Sequence, residues 1–380
     1  MVVGGVEQHI LTLSNFITEQ HPDFKFSLVT DKTEYPFFKT RKVPKKERFN
    51  HLEVYRFGPN LLSITRGLRY KLMHNDSKFL ENLLTHKLCH EMANNREIAQ
   101  TDVFHIHGLW SLRYPTLGLY LSKRFDKPIV VSLHGDSVGT EYPHSMPLEK
   151  TDFTSILTEA VAITTYSKTV LAALEKMGLT HKSHLIPNFI DTSNFKRPIS
   201  TESTAPGNRV VMVCRLDPFK DPLTAVQAFA LVAKVEPLAT LQIVGDGPLF
   251  EPMKRLIGEL GLENNVFLMG QHADVRPFLW SNDIFLTGNA FISVLEAWSA
   301  GLAVVAVKGE TTGKLIADGE NGLLVQPNSP QELASALLQV MRDNSCRTAF
   351  VKRGLESADL FDVGRSGEHF LEIYRSISAA

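Results

Sequence analysis

The sequence predicts a two-domain α/β protein, and three observations carry that prediction. At 380 residues the chain exceeds what one hydrophobic core usually fills, so two units of ordinary size are the natural division. Apolar, β-branched runs alternate with segments of helical period in both halves, the pattern of parallel sheets joined by right-handed crossovers. The apolar fraction of 43% is that of a globular protein. With 40 Lys and Arg against 41 Asp and Glu, no charge excess marks a general nucleic-acid binder, and no nucleic-acid partner is expected.

In the first half the strand candidates are FSLVTD (Phe26–Asp31), LEVYRFG (Leu52–Gly58), VFHIHG (Val103–Gly108), PIVVSLHG (Pro128–Gly135) and VAITTYS (Val161–Ser167). The opening MVVGGVEQHI places only Met1–Val3 before its glycine pair, so either the true start lies upstream or the first strand of this unit is expected to be shortened or missing. In a doubly wound sheet that strand is central, and its loss would uncover its neighbours. Two segments bear on membranes. Lys39–Arg48 is a basic run, and Ile64–Leu84 mixes bases with an apolar stripe. Either can dock on anionic lipid, while a solvated loop and an ordinary core helix are the commoner readings.

The second half is denser in signals. The run VVMVCRLDPFK takes a strand into a turn that presents Arg215 and then Lys220, a cationic pair at a strand's carboxyl end, where open α/β sheets hold anionic ligands. There follow LQIVGDGP (Leu241–Pro248), VFLMG (Val266–Gly270), DIFLTG (Asp283–Gly288), FISVLEAWSAG (Phe291–Gly301), AVVAV (Ala303–Val307) and DGENGLLV (Asp318–Val325). The GDGP turn lacks the third glycine of a dinucleotide fingerprint, so NAD is not expected. Cys89, Cys214 and Cys346 are widely spaced and form no metal or disulfide pattern, which suits a reducing compartment. No apolar run reaches transmembrane length and no signal peptide is read, so a cytoplasmic protein is expected, with peripheral contact at the inner face of the membrane left open.

This order and wording resemble glycosyltransferase family 4, retaining enzymes of the GT-B architecture, in which two Rossmann-like domains face each other across a cleft. The resemblance implies an N-terminal acceptor-side domain over 1–195, a nucleotide-sugar domain over 196–364 and a terminal helix over 365–380 that crosses back to the first domain. SHLIPNFIDTSNF (Ser183–Phe195) is similar to the family's connector, with Phe189 where glycine is usual, and Arg197–Asn208 reads as the linker after it. In the terminal helix the apolar face with Phe370, Ile373 and Tyr374 is expected to be buried.

Site residues follow from the resemblance and from residue chemistry together. Arg215 and Lys220 would neutralise a leaving diphosphate, and His134 in SLHGD matches the histidine near the transferred sugar. Gly4, Gly5, Gly245 and Gly247 would let backbone approach the donor, and Thr311, Thr312 and Gly313 would offer N–H groups to phosphate. Glu296 would accept hydrogen bonds from the ribose; the alternative is a solvated helix position. His107 in HIHGLW reads as acceptor-side wall or as a satisfied structural histidine, and His105 reads as turned away from it along the strand and structural. Without a carboxylate cluster or an H-E-x-x-H spacing, zinc is not expected at these histidines.

Two departures from the family pattern stand out. Gly288 falls eight residues before Glu296, where a sugar-contacting glutamate is usual, and KGETTGKLIADG lacks the paired glycines and following Pro-Glu. The expected activity is metal- and cofactor-independent transfer of a hexose, with retention, from a nucleotide diphosphate sugar to a glycan or lipid-linked saccharide acceptor in surface polysaccharide or glycoconjugate synthesis. The competing readings are a catalytically impaired binding or partner subunit and a GT-B sugar-nucleotide epimerase. A phosphorylase would need a pyridoxal lysine context that the chain does not present.

Overall fold

A computed structural model describes the backbone of residues 5–31, 45–49, 51–57, 88–108, 113–134, 154–198 and 207–378. The chain divides into two compact units, one of Val6–Asn188 with Ser366–Ala380 and the other of Phe189–Arg365 with Met1–Gly5.

The N-terminal unit holds two sheets. β1 (Ser27–Asp31), β2 (Lys46–Phe49) and β3 (Leu52–Phe57) form one, in the order β1-β3-β2, with β3 parallel to β1 and antiparallel to β2. β4 (Phe104–His107), β5 (Ile129–Leu133), β6 (Ala162–Thr165) and β7 (Ser183–Leu185) form an all-parallel sheet in sequence order. All five strand candidates of this half lie on observed strands. The basic run ends differently from its loop reading, because Lys46–Arg48 lie in β2, an edge strand in which Lys46 pairs with Glu53 and Glu97. Residues 32–44 and 58–87, with most of the basic run and all of Ile64–Leu84, lie outside the described residues, as do Met1–Gly4 and the question of the first strand.

The helix Gly5–Gln20 sets Leu13 and Ile17 into the core, and His9 falls on the same stripe one turn earlier. The helix Val363–Ser378 buries Phe370, Leu371, Ile373 and Tyr374, as its period demands. These side chains meet the N-terminal unit. Phe370 lies edge-on to His9, Tyr374 packs on Phe26, and Tyr374 Oη stands 2.6 Å from His105 Nδ1.

The C-terminal unit is one parallel sheet of β8 (Arg209–Val213), β9 (Thr240–Val244), β10 (Val266–Gly270), β11 (Ile284–Thr287), β12 (Ala303–Val307) and β13 (Leu323–Val325). Its order is β10-β9-β8-β11-β12-β13, the doubly wound order 3-2-1-4-5-6. Apolar residues alternate between the two faces. Val210, Met212, Ile284, Leu286, Ala303 and Val305 join one core, while Val211, Phe285, Val304 and Ala306 join the other with Trp298. Both faces are therefore covered, and polar groups collect at the strand ends. Within this unit Phe189 fills core space at 1% exposure, and the connector is tied to the end of the domain by Ile190–Phe361 and Ile190–Val363 backbone bonds.

At the switch between β8 and β11 the two strands pair only at Val210–Ile284 and Val211–Phe285 and then part. The crevice where such sheets bind ligands opens at that point, beyond the carboxyl ends of β8 and β11.

The buried bond to His105 gives the terminal helix a polar anchor. Replacing Tyr374 with Phe leaves that ring nitrogen without its partner, so the variant should lose about 1–3 kcal/mol of stability. Chemical unfolding and faster amide exchange across Phe370–Tyr374 would both report the loss.

Candidate functional site

The loop after β8 is built to hold two cations differently. Asp217, itself buried, accepts Nε of Arg215 at 2.5 Å with one oxygen and the backbone N–H of Lys220 at 3.1 Å with the other. Asp221 adopts a left-handed conformation (φ 47°) and turns the chain into the helix Pro222–Val235. Arg215 is consequently tethered at its base but 72% exposed along its side chain. Lys220 is turned inward, and its Nζ donates to the carbonyl of Asn289 at 2.5 Å, across the switch point. Burial holds its ammonium below the usual lysine range. An ammonium has three donors, so two remain for a ligand oxygen after the Asn289 contact.

Glu296 lies on the helix Ile292–Ser299, partly shielded from solvent. Burial pushes its carboxyl up to about 8, and among the described residues nothing donates to it or pairs with it. A carboxyl in that setting waits for a hydrogen-bond donor. Cys214 beside the cations is inert, its thiol pushed up to about 12 by burial.

The glycines and the backbone donors have different partners from those expected. A side chain on Gly245 would strike the carbonyl of Cys214, and one on Gly247 the carbonyl of Leu216, so both glycines let the GDGP turn lie against the β8 exit loop. Backbone bonds from Leu216 N to Asp246 O and from Leu249 N to Leu216 O fasten the two segments. The N–H groups of Thr311 and Thr312 donate to Asn289 Oδ1 at 3.0 and 3.4 Å, and that of Gly313 donates to the Gly309 carbonyl. In place of an open phosphate nest, the loop after β12 is closed by an asparagine that the sequence reading passed over. Gly288 has no room for a side chain, because a Cβ there would come within 2.3 Å of the Lys220 carbonyl oxygen.

In the N-terminal unit the strand-end histidines form a layer. His107 Nδ1 lies 2.9 Å from His134 Nε2, the distance of a hydrogen bond between neutral imidazoles, and His9 stands edge-on to both rings. His105 shares the face of His107, with ring centroids 4.0 Å apart. This corrects the reading that it turns away, since residues two apart on a strand point to one side. Beyond it runs a buried chain of His105 Nε2, Ser132 Oγ and Thr164 Oγ1, with contacts of 2.7 and 2.6 Å. Burial lowers every one of these histidines, His134 to about 4, His105 to about 3, and His9 and His107 well below their ordinary value. His9, His107 and His134 bring ring nitrogens within 4.8 Å of one another, the one group among the described residues close enough to share a cation. His9 escaped the sequence reading, although its spacing to Leu13 and Ile17 marks it as inward-facing. Gly5 opens the first helix, and Gly4 lies outside the described residues.

Comparison with known proteins places both halves. A model for Glycosyltransferase Family 4 matches residues 3–194, and one for Glycosyl transferases group 1 matches residues 196–357. A lipopolysaccharide core biosynthesis glycosyltransferase of Rhizobium meliloti is 30% identical over 189 residues, 48% of this chain and 54% of that protein. The chain spans less than two thirds of the first curated relatives it matches. A phosphatidyl-myo-inositol mannosyltransferase of Mycolicibacterium smegmatis is 25% identical over 297 residues, 73% of this chain and 72% of that one. Among solved structures, Anabaena HepE in complex with UDP-glucose superposes with a TM-score of 0.63 at 21% identity over 86% of each chain. Sucrose-phosphate synthase of Thermosynechococcus elongatus gives 0.72 at 19% identity over 99% of this chain and 94% of that one. The fold is that of the GT-B transferases. No helix among the described residues is long and apolar enough to cross a membrane.

The histidine layer predicts a sign for acid stability. Its members bind protons near pH 6.5 when unfolded but only at lower pH when folded, so stability is full above about 6.5 and falls as pH drops toward about 4. Apparent melting temperature against pH should show this decline, and His107→Gln should make it shallower.

Proposed function

Since the chain belongs to glycosyltransferase family 4, with the group 1 transferase domain as its second half, we propose that it moves a hexose from a nucleotide diphosphate sugar to a glycan or lipid-linked saccharide, with retention of configuration. The observation that carries this reading is the pair of ligand-ready groups in the C-terminal unit. The partly buried Lys220 ammonium keeps donors free at the switch point, and the Glu296 carboxyl has no donor of its own among the described residues. A diphosphate answers the first need and a ribose diol the second. The names of the relatives, a lipopolysaccharide core transferase and a phosphatidylinositol mannosyltransferase, favour an acceptor of the surface-glycan or glycolipid class.

In this mechanism Lys220 and Arg215 stabilise the negative charge that develops on the leaving diphosphate, the task that a metal ion performs in other transferases. The leaving phosphate oxygen takes the acceptor hydroxyl's proton on the same face of the sugar, and no enzymic nucleophile is required. His134 would hydrogen-bond the transferred sugar as a neutral imidazole, the form that its lowered pKa favours, and His107 would line the acceptor side. Docking of the basic segment on an anionic membrane surface would bring a lipid-linked acceptor within reach.

A second reading has its own observation. Gly288 cannot carry the customary glutamate, which is what a binding subunit with a dismantled sugar contact would look like. Incubation with radiolabelled UDP-, GDP- and ADP-sugars separates the two, since an active transferase transfers or slowly hydrolyses one of them and a binding subunit leaves all of them intact.

Lys220→Ala should weaken nucleoside diphosphates strongly while leaving nucleosides nearly unaffected, and should lower turnover on the order of a hundredfold. Glu296→Gln should weaken both. Ribose hydroxyls favour the ionised carboxylate, so nucleoside binding to the native protein should release a proton below pH 8 and tighten as pH rises toward that value. Calorimetry in buffers of different ionisation enthalpy measures the proton, and unchanged proton release in Glu296→Gln would remove Glu296 from the site.

A further inference from the structure

We propose that Asn289 replaces the absent sugar-site carboxylate by a hydrogen-bond donor, so that this position of the donor site takes an acceptor oxygen, on the diphosphate or on a sugar carboxylate, in place of a sugar hydroxyl. The inference rests on the nucleotide-sugar reading given above.

Three loops converge on Asn289. Its backbone carbonyl receives Lys220 Nζ from the loop after β8, and its side-chain oxygen receives the N–H groups of Thr311 and Thr312 from the loop after β12. Two glycines make this possible. At Gly288 a Cβ would crowd the Lys220 carbonyl oxygen, and at Gly309 a Cβ would come within 2.7 Å of Asn289 Oδ1. Larger residues are crowded by the Lys220 backbone at the first site and by Asn289 at the second, and the first crowding excludes the glutamate that would otherwise stand eight residues before Glu296.

Chemistry then fixes the orientation of the amide. Backbone N–H groups can only donate, so the atom facing Thr311 and Thr312 must be the oxygen, and Nδ2 must face the other way. Among the described residues Nδ2 has no hydrogen-bond partner. A carboxylate at such a site rewards ligands that donate, whereas an amide N–H rewards ligands that accept. An unprotonated phosphoryl or carboxylate oxygen is the strongest acceptor a nucleotide sugar can offer.

The test is calorimetric titration of the native protein, Asn289→Asp and Asn289→Ala with UDP, UDP-glucose and UDP-glucuronate, alongside the matching GDP and ADP compounds. The Asp variant keeps an oxygen for Thr311 and Thr312, so melting temperature should hold, but it turns an anion toward the ligand. It should bind the compound that carries the accepted oxygen about tenfold or more weakly, and the Ala variant should lose less. Equal losses for UDP and its conjugates place the acceptor oxygen on the diphosphate, and a loss confined to the glucuronate places it on the sugar. Affinity unchanged in the Asp variant, or a gain for the hexose conjugate, would overturn the donor role while leaving the nucleotide site standing. Failure of the native protein to bind any of the nucleotides would overturn both.

Discussion

A parallel sheet covered on both faces confines chemistry to its ends, and the C-terminal unit obeys that constraint throughout. Alternate residues of β8, β11 and β12 fill two apolar cores, and the polar side chains of these strands, Arg209 and Thr287, stand at strand ends. The doubly wound order then decides which end matters. β8 and β11 pair for two residues and separate, and the loops that follow them supply Arg215, Lys220 and Asn289. A partly desolvated ammonium favours an oxygen partner, and the Asn289 carbonyl provides it without neutralising the charge. The loop after β8, the loop after β11 and the loop after β12 thus share one polar joint.

The N-terminal unit solves a related problem with neutral groups. Burial lowers the proton affinity of its strand-end histidines, so they stand neutral near pH 7, and His105 joins a continuous chain from Tyr374 through Ser132 to Thr164. The terminal helix is a structural part of that unit, because its tyrosine begins the chain and its phenylalanine covers His9. Polar order in this half depends on the last residues of the sequence.

Much of this was legible before the structure. Strands announced by β-branched runs were found where read, because burial on two faces demands such runs, and Glu296 stood out as an acid among apolar neighbours. What escaped was set by contacts distant in sequence. β2 carries KERF, an edge strand whose charges suppress the apolar alternation that marks a strand. His9 needed a helix face to be matched with two strand ends. Thr311, Thr312 and Gly313 looked free as donors, and only the fold reveals Asn289 and Gly309 as their acceptors. Gly288 read as a departure from the family pattern, and only the fold supplies its steric reason, the Lys220 carbonyl beside it.

On the proposed reading the C-terminal unit binds a nucleotide sugar so that its sugar can be transferred. Proton NMR of the anomeric region, following an α-linked donor sugar incubated with the protein and a saccharide acceptor, tests it most directly. Consumption of one donor and growth of an α-linked product are expected. An inverted product, or every donor intact while its nucleotide is bound, would contradict that reading.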